Sequence, residues 1–140
     1  MLDVNSDRIF HLYRANKTER FISDYFSFEL KDWVNYSDKL GEHLYIPVEM
    51  ALGFKEFDDR IESEITERYL ADYPGVMRVS YEDFIANKDY YVSKVVKHVG
   101  GSPIKEPKPS KYYKKQANKD MYRRIHNLHE IEEVFGTPVN

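Results

Sequence analysis

Only two stretches of this chain have the short, near-continuous apolar pattern of a buried strand: Arg8–Tyr13 (Arg-Ile-Phe-His-Leu-Tyr) and Val76–Ser80 (Val-Met-Arg-Val-Ser). The sequence between them carries helix periodicity. The two strands are therefore expected to run parallel, joined by a right-handed crossover. A sheet of two strands is thin, because independently stable sheets usually have three or more. Either further strands come from elsewhere, or the chain is a helix-rich unit that associates.

Asn16, followed by Glu19, has the pattern of a helix N-cap and its reciprocal partner. The helix it opens is predicted over about Lys17–Trp33, with Phe21, Ile22, Tyr25, Phe28 and Leu30 turned inward. Asn35–Glu42 reads as a polar loop. A second helix starts near Pro47, and its predicted inward stripe is Ile46, Met50, Phe54, Phe57, Ile61, Ile65 and Tyr69, with Gly53 as a weak point. Pro74-Gly75 is a turn. Asn87 is predicted to cap a third helix facing inward with Tyr91, Val92, Val95, Val96 and Val99, stopped by Gly100-Gly101. Three prolines between Ser102 and Ser110 mark an irregular crossing, and a last helix is expected over Leu128–Phe135.

With 140 residues, 41% of them hydrophobic and 32% charged, the chain has the size and composition of one globular domain. A net charge of −3 argues against a general nucleic-acid binder. The absence of cysteine excludes disulfides, thiol catalysis and Cys-based zinc sites. The apolar runs are far shorter than the roughly 20 residues that span a bilayer, and the first residues lack a signal peptide's apolar core. A soluble, cytoplasmic chain with no membrane partner is expected.

Two segments carry candidate chemistry. In Tyr13-Arg-Ala-Asn-Lys-Thr-Glu-Arg-Phe-Ile-Ser23 a strand ends in an arginine and turns into a helix, which puts a guanidinium near backbone N–H groups and suits a phosphate. Asn16, Arg20 and Ser23 share one helix face, and Arg14 is long enough to swing toward it. The plainer alternative is an exposed arginine and an incidental serine. In Arg78-Val-Ser-Tyr-Glu-Asp-Phe84, Tyr81 ends a strand at the edge where α/β folds bind ligands, so its ring is placed to flank a base. Here the plainer alternative is a structural tyrosine beside solvated acids.

Between Lys105 and Arg124 eight basic residues face two acidic ones, interleaved with Tyr112, Tyr113 and Tyr122. A solvated lysine-rich loop and a polyanion-binding patch both fit this pattern. His126 and His129 are spaced for one helix face, but the sequence shows no recognised metal-binding pattern around them, so a metal site is not expected. His11, inside the first strand, reads as a satisfied core residue.

His11-Leu-Tyr-Arg-Ala-Asn-Lys with Ser23 nine residues after Arg14 resembles the 3′-phosphate-binding segment of sulfotransferases. Ser80-Tyr-Glu-Asp-Phe-Ile-Ala-Asn-Lys with Val95-Val-Lys-His-Val-Gly100 is similar to that family's Tyr-Glu-Asp strand and following helix. Arg124-Ile-His-Asn-Leu-His-Glu-Ile131 resembles its closing segment. The three occur in family order and frame nearly the whole chain. The resemblance implies an α/β, P-loop-NTPase-like sulfotransferase fold: a single partial domain over residues 1–140, helix-rich with a small parallel sheet. It also implies a cofactor, 3′-phosphoadenylyl sulfate (PAPS) or its product 3′-phosphoadenosine 5′-phosphate (PAP), and transfer of a sulfuryl group to a hydroxyl or amine. Arg14 and Ser23 would hold the 3′-phosphate with Arg20 on the same helix face, and Tyr81 would lie near the adenine. Lys114 and Lys115 are similar in position to the basic loop that closes over the nucleotide.

One departure is large. The six glycines form no phosphate-cradling spacing with a following Lys-Ser/Thr, so the family's 5′-phosphosulfate loop has no counterpart. The chain is therefore expected to be the C-terminal half of a longer design, incomplete for catalysis as given and completed by a missing N-terminal half. The competing expectation is a non-catalytic module that keeps the fold, has lost the cofactor and forms a homo-oligomer. No pattern in the sequence identifies the acceptor.

Overall fold

A computed structural model describes residues 9–29, 43–73, 75–98, 100–102 and 119–140. Its elements are β1 (Phe10–Tyr13), α1 (Lys17–Glu29), α2 (Val48–Glu64), β2 (Met77–Ser80), α3 (Tyr81–Ala86), α4 (Lys88–His98), α5 (Lys119–Arg123) and α6 (Leu128–Phe135). A π-helical stretch, Ile65–Leu70, extends α2. The chain is thus helix-rich with a two-stranded parallel sheet. It divides into two compact units: residues 1–15 with 60–108, and residues 16–59 with 109–140.

In the first unit β1 and β2 pair in the register Phe10–Met77, His11–Arg78, Leu12–Val79 and Tyr13–Ser80. Side chains alternate across a strand. One face therefore carries Phe10, Leu12, Met77 and Val79, and the other His11, Tyr13, Arg78 and Ser80. Val79 is buried, but Leu12 is 44% exposed, so the wholly buried first strand expected from its apolar run is not what forms. Two strands cover too little of the face for that.

Ser80 ends β2 and caps α3, its Oγ accepting the Asp83 N–H at 3.1 Å. Tyr81 is accordingly the first residue of a helix and not the last of a strand. Asn87 accepts the Tyr91 N–H on its carbonyl and so starts α4, as expected from sequence. The predicted stop holds as well. Gly100, at φ 71°, donates to the Lys97 carbonyl and Gly101 to that of Val96, the paired closure of a left-handed helix end.

The second unit contains the main core: Phe21, Ile22, Phe26, Ile46, Ala51, Met121, Tyr122, Ile125 and Ile131. Each large apolar side chain removed from water there contributes roughly 1.5–3 kcal/mol. Residues 44 and 125 form a parallel bridge, with the Leu44 N–H donating to the Arg124 carbonyl and the His126 N–H to that of Leu44. Asn127 prolongs the ladder with its side chain. Its Oδ1 accepts the Ile46 N–H at 3.0 Å, and its Nδ2 donates to the Ile46 carbonyl at 2.7 Å and to Glu130 at 3.2 Å. The closing Arg-Ile-His-Asn-Leu-His-Glu segment therefore has a structural use here.

The chain's last residues fasten the start of α1. Asn16 donates to the Pro138 carbonyl, the Thr18 N–H donates to Thr137 Oγ1, and the Asn140 N–H donates to Glu19 Oε1. Asn16 Oδ1 accepts the Glu19 N–H at 3.0 Å, which is the N-cap predicted from sequence.

Both long helices follow their apolar stripes only in part: Phe21 and Ile22 of α1 are buried and Tyr25 and Phe54 pack against the core, as expected, but other positions differ. In α1 the buried positions include Thr18, Glu19, Phe26 and Ser27, while Phe28 is 66% exposed. In α2 the buried residues are Ala51 and Asp58, whereas Met50, Phe57 and, in the π-helical extension, Tyr69 are exposed. The cause is Asp58, 2% exposed, which is held by Lys17 Nζ at 2.7 Å and Arg20 Nη1 at 2.6 Å. A buried carboxylate paired with two cations sets the helix's rotation in place of the apolar count. Residues 30–42, including Leu30 and the predicted loop, lie outside the described residues, as does Val99.

Gly53 does not kink α2; it is exposed, and a Cβ there would meet nothing within 4 Å. Gly53→Ala is expected to stabilise the fold by about 0.5–1 kcal/mol. Thermal unfolding checks this, and a lowered melting temperature would contradict it.

Candidate functional site

Parallel pairing puts the carboxyl ends of β1 and β2 side by side, since Tyr13 is opposite Ser80. The residues that follow, Arg14 and Tyr81, therefore emerge at one edge, where open α/β sheets bind ligands. The Arg14 guanidinium lies over the Tyr81 ring at 4.3 Å from its centroid. Its Nε donates to Glu82 Oε1 at 3.2 Å, and the other oxygen of Glu82 accepts the Ala15 N–H at 2.9 Å. One glutamate thus fastens both the arginine and the turn after β1. Glu82 is not the solvated acid its position suggested.

Two of the six predicted site residues are therefore brought together across a large sequence separation. Arg20 and Ser23 belong to the second unit. Arg20 pairs with Asp58, and its guanidinium sits 5.7 Å from the Phe54 ring centroid. Ser23 is half-buried on α1, and its carbonyl accepts the Ser27 hydroxyl at 2.9 Å. Lys114 and Lys115 lie outside the described residues.

The helix-start donors that the sequence left open to a phosphate are used internally. The Thr18 N–H meets Thr137, and the Glu19 N–H meets Asn16.

Within the second unit an aromatic cleft of about 310 Å³ opens between α1 and α2, lined by Phe21, Tyr25, Phe28, Met50, Phe54 and Phe57 with Arg20 and Asp24 at its edge. Its size falls at the small end of ligand sites. The signal was in the sequence, because each helix contributes residues at i, i+4 and i+7. Reading both stripes as core concealed it.

Among the described residues no group of three or more metal-ligating side chains occurs, and no helix is long and apolar enough to cross a membrane. His129 forms an exposed pair with Glu133 at 3.0 Å. No family model matches this chain, and no curated protein or solved structure matches it significantly.

Proposed function

We propose that this chain is a sulfotransferase-like nucleotide-binding protein, in which Arg14 and Tyr81 hold the 3′-phosphoadenosine part of PAPS for sulfuryl transfer to a hydroxyl or amine. The observation that supports it most is the Arg14 guanidinium lying on Tyr81 at the carboxyl edge of a parallel strand pair. Such a pair offers a phosphate a positive charge and a base a ring. Glu82 competes for the same guanidinium. Arg14 and Glu82 are each more than a quarter exposed, so their pair is worth about 1 kcal/mol or less, and a phosphate dianion can outcompete it.

Transfer of this kind depends on positioning and on neutralising charge at the leaving phosphate. Arg14 supplies orientation at the 3′ end. The sequence contains no 5′-phosphosulfate loop pattern, so its residues hold the nucleotide and carry no bond-making step.

Titration calorimetry with PAP tests this. Measurable binding is expected, weakened roughly ten- to hundredfold by Arg14→Ala through loss of a charged hydrogen-bond donor. Glu82→Gln is expected to bind more tightly than the parent, because it removes the competing charge. Absence of binding in the parent chain, or an Arg14→Ala curve that overlays it, refutes the assignment.

A second reading, a non-catalytic self-associating module, is favoured by the exposed aromatics Phe28 and Phe57 at the cleft. It predicts an oligomer by light scattering that is unchanged by PAP and dissociated by Phe57→Glu.

A further inference from the structure

Three arginines of known surroundings differ in how their charge is met. Arg14 contacts Glu82 and Arg20 contacts Asp58. Arg78, exposed on β2, is oriented by neutral groups instead. Its Nε donates to His11 Nδ1 at 3.2 Å across the strand pair, and its guanidinium lies 5.0 Å from the Tyr13 ring centroid. Among the described residues no carboxylate pairs with it, and its Nη hydrogens take part in no hydrogen bond. Register explains the arrangement, since His11, Tyr13 and Arg78 share one face of the β1–β2 pair.

Nδ1 serves as an acceptor, so the neutral imidazole carries its proton on Nε2 and fixes the guanidinium through Nε, leaving the Nη groups to face outward. The ring of Tyr13 and the imidazole hold the fork without cancelling its charge. A planar fork held in this way loses less freedom on binding an anion than a solvated lysine does. The same surroundings act on His11. Partial burial, then the Arg78 charge, lower its pKa below the ordinary imidazole value, with Glu62 on α2 opposing them.

We infer that Arg78, His11 and Tyr13 form an oxyanion-binding site on this face of the strand pair, distinct from the Arg14–Tyr81 edge and independent of any nucleotide function. The ligand class is a compact oxyanion, either tetrahedral and doubly charged or a carboxylate. The two Nη groups of Arg78 donate to it, His11 Nδ1 holds the guanidinium through Nε, and Tyr13 supports it from its ring face. An anion bound there offsets the Arg78 field at His11, so its charge favours the imidazolium, whose Nδ1 then no longer accepts from Arg78 Nε. By linkage, the anion binds more tightly as pH falls through the His11 titration.

The test follows the His11 imidazole by NMR through a pH titration in chloride, sulfate or acetate at matched ionic strength. In chloride, His11 is expected to titrate below the ordinary imidazole value. Sulfate, which keeps its charge through the range, is expected to raise the His11 midpoint while leaving His129 in place. A larger response to sulfate than to acetate identifies a tetrahedral dianion, and the reverse a carboxylate. Arg78→Gln is expected to raise the chloride midpoint, abolish the sulfate response and weaken sulfate binding about tenfold. Arg78→Lys, which keeps the charge and loses the fork, is expected to fall between the two. The site is disproved if neither anion moves His11 more than His129, or if Arg78→Gln keeps the full response.

Discussion

Asn127→Ala is expected to lower the melting temperature by about 10 °C. The amide makes three hydrogen bonds, two of them to the backbone N–H and carbonyl of Ile46, a residue with no exposed surface. Alanine leaves that N–H and carbonyl without partners in the core, at about 1–3 kcal/mol each. A total near 3 kcal/mol, with about 3–4 °C per kcal/mol for a domain of this size, gives the stated shift. Asn127→Asp retains the acceptor for the Ile46 N–H and loses the donor, and its charge faces Glu130, so it should also destabilise strongly. Differential scanning calorimetry decides the matter, and a drop of only a degree or two for Asn127→Ala would show that the ladder closes without the amide.

Asp58→Leu should be of similar severity. The carboxylate is almost fully buried and pairs with Lys17 and Arg20, and removing it leaves two cations facing an apolar helix. Breaking a buried pair from one side costs about 3–5 kcal/mol. Lys17 and Arg20 are partly exposed and can lift their charged ends into water, which reduces the figure to about 2–3 kcal/mol. The combined replacement Lys17→Met, Arg20→Met, Asp58→Leu should recover most of the loss, because a well-packed apolar trio has no charge to desolvate. Denaturant unfolding of the single and triple variants tests this. Equal stability of Asp58→Leu and the parent would remove Asp58 as the reason α2 turns as it does.

Asp58 also shows where sequence patterns stop being informative. Spacing identified α2 as a helix but assigned Met50 and Phe57 to the core, since a count of apolar residues cannot anticipate a buried acid clasped by cations from another helix. Local rules did better where the cause was local. The Gly100–Gly101 stop, the Asn16 cap and the bounds of α6 follow from two or three neighbouring residues each. The parallel pairing of β1 with β2 followed from having only two strand-like runs separated by helices. Helix α3 was hidden because Ser80 serves two elements at once, and the strand pattern masked the Ser-x-x-Asp signature of a helix start. At the candidate site the meeting of Arg14 and Tyr81 was legible from strand ends. The part played by Glu82 was not, because a glutamate within a helix's first turn reads equally well as a dipole partner. His11 was expected in a core and instead faces Arg78 across the strands, a pairing visible only once the register is known.

Thr137, Pro138 and Asn140 act as a latch on the opening turn of α1, so losing their contacts would loosen a helix that begins more than a hundred positions earlier in the chain. Loss of these contacts should register first as fraying near Thr18. Residues 137–140 thus report on the integrity of a helix start far from them in sequence.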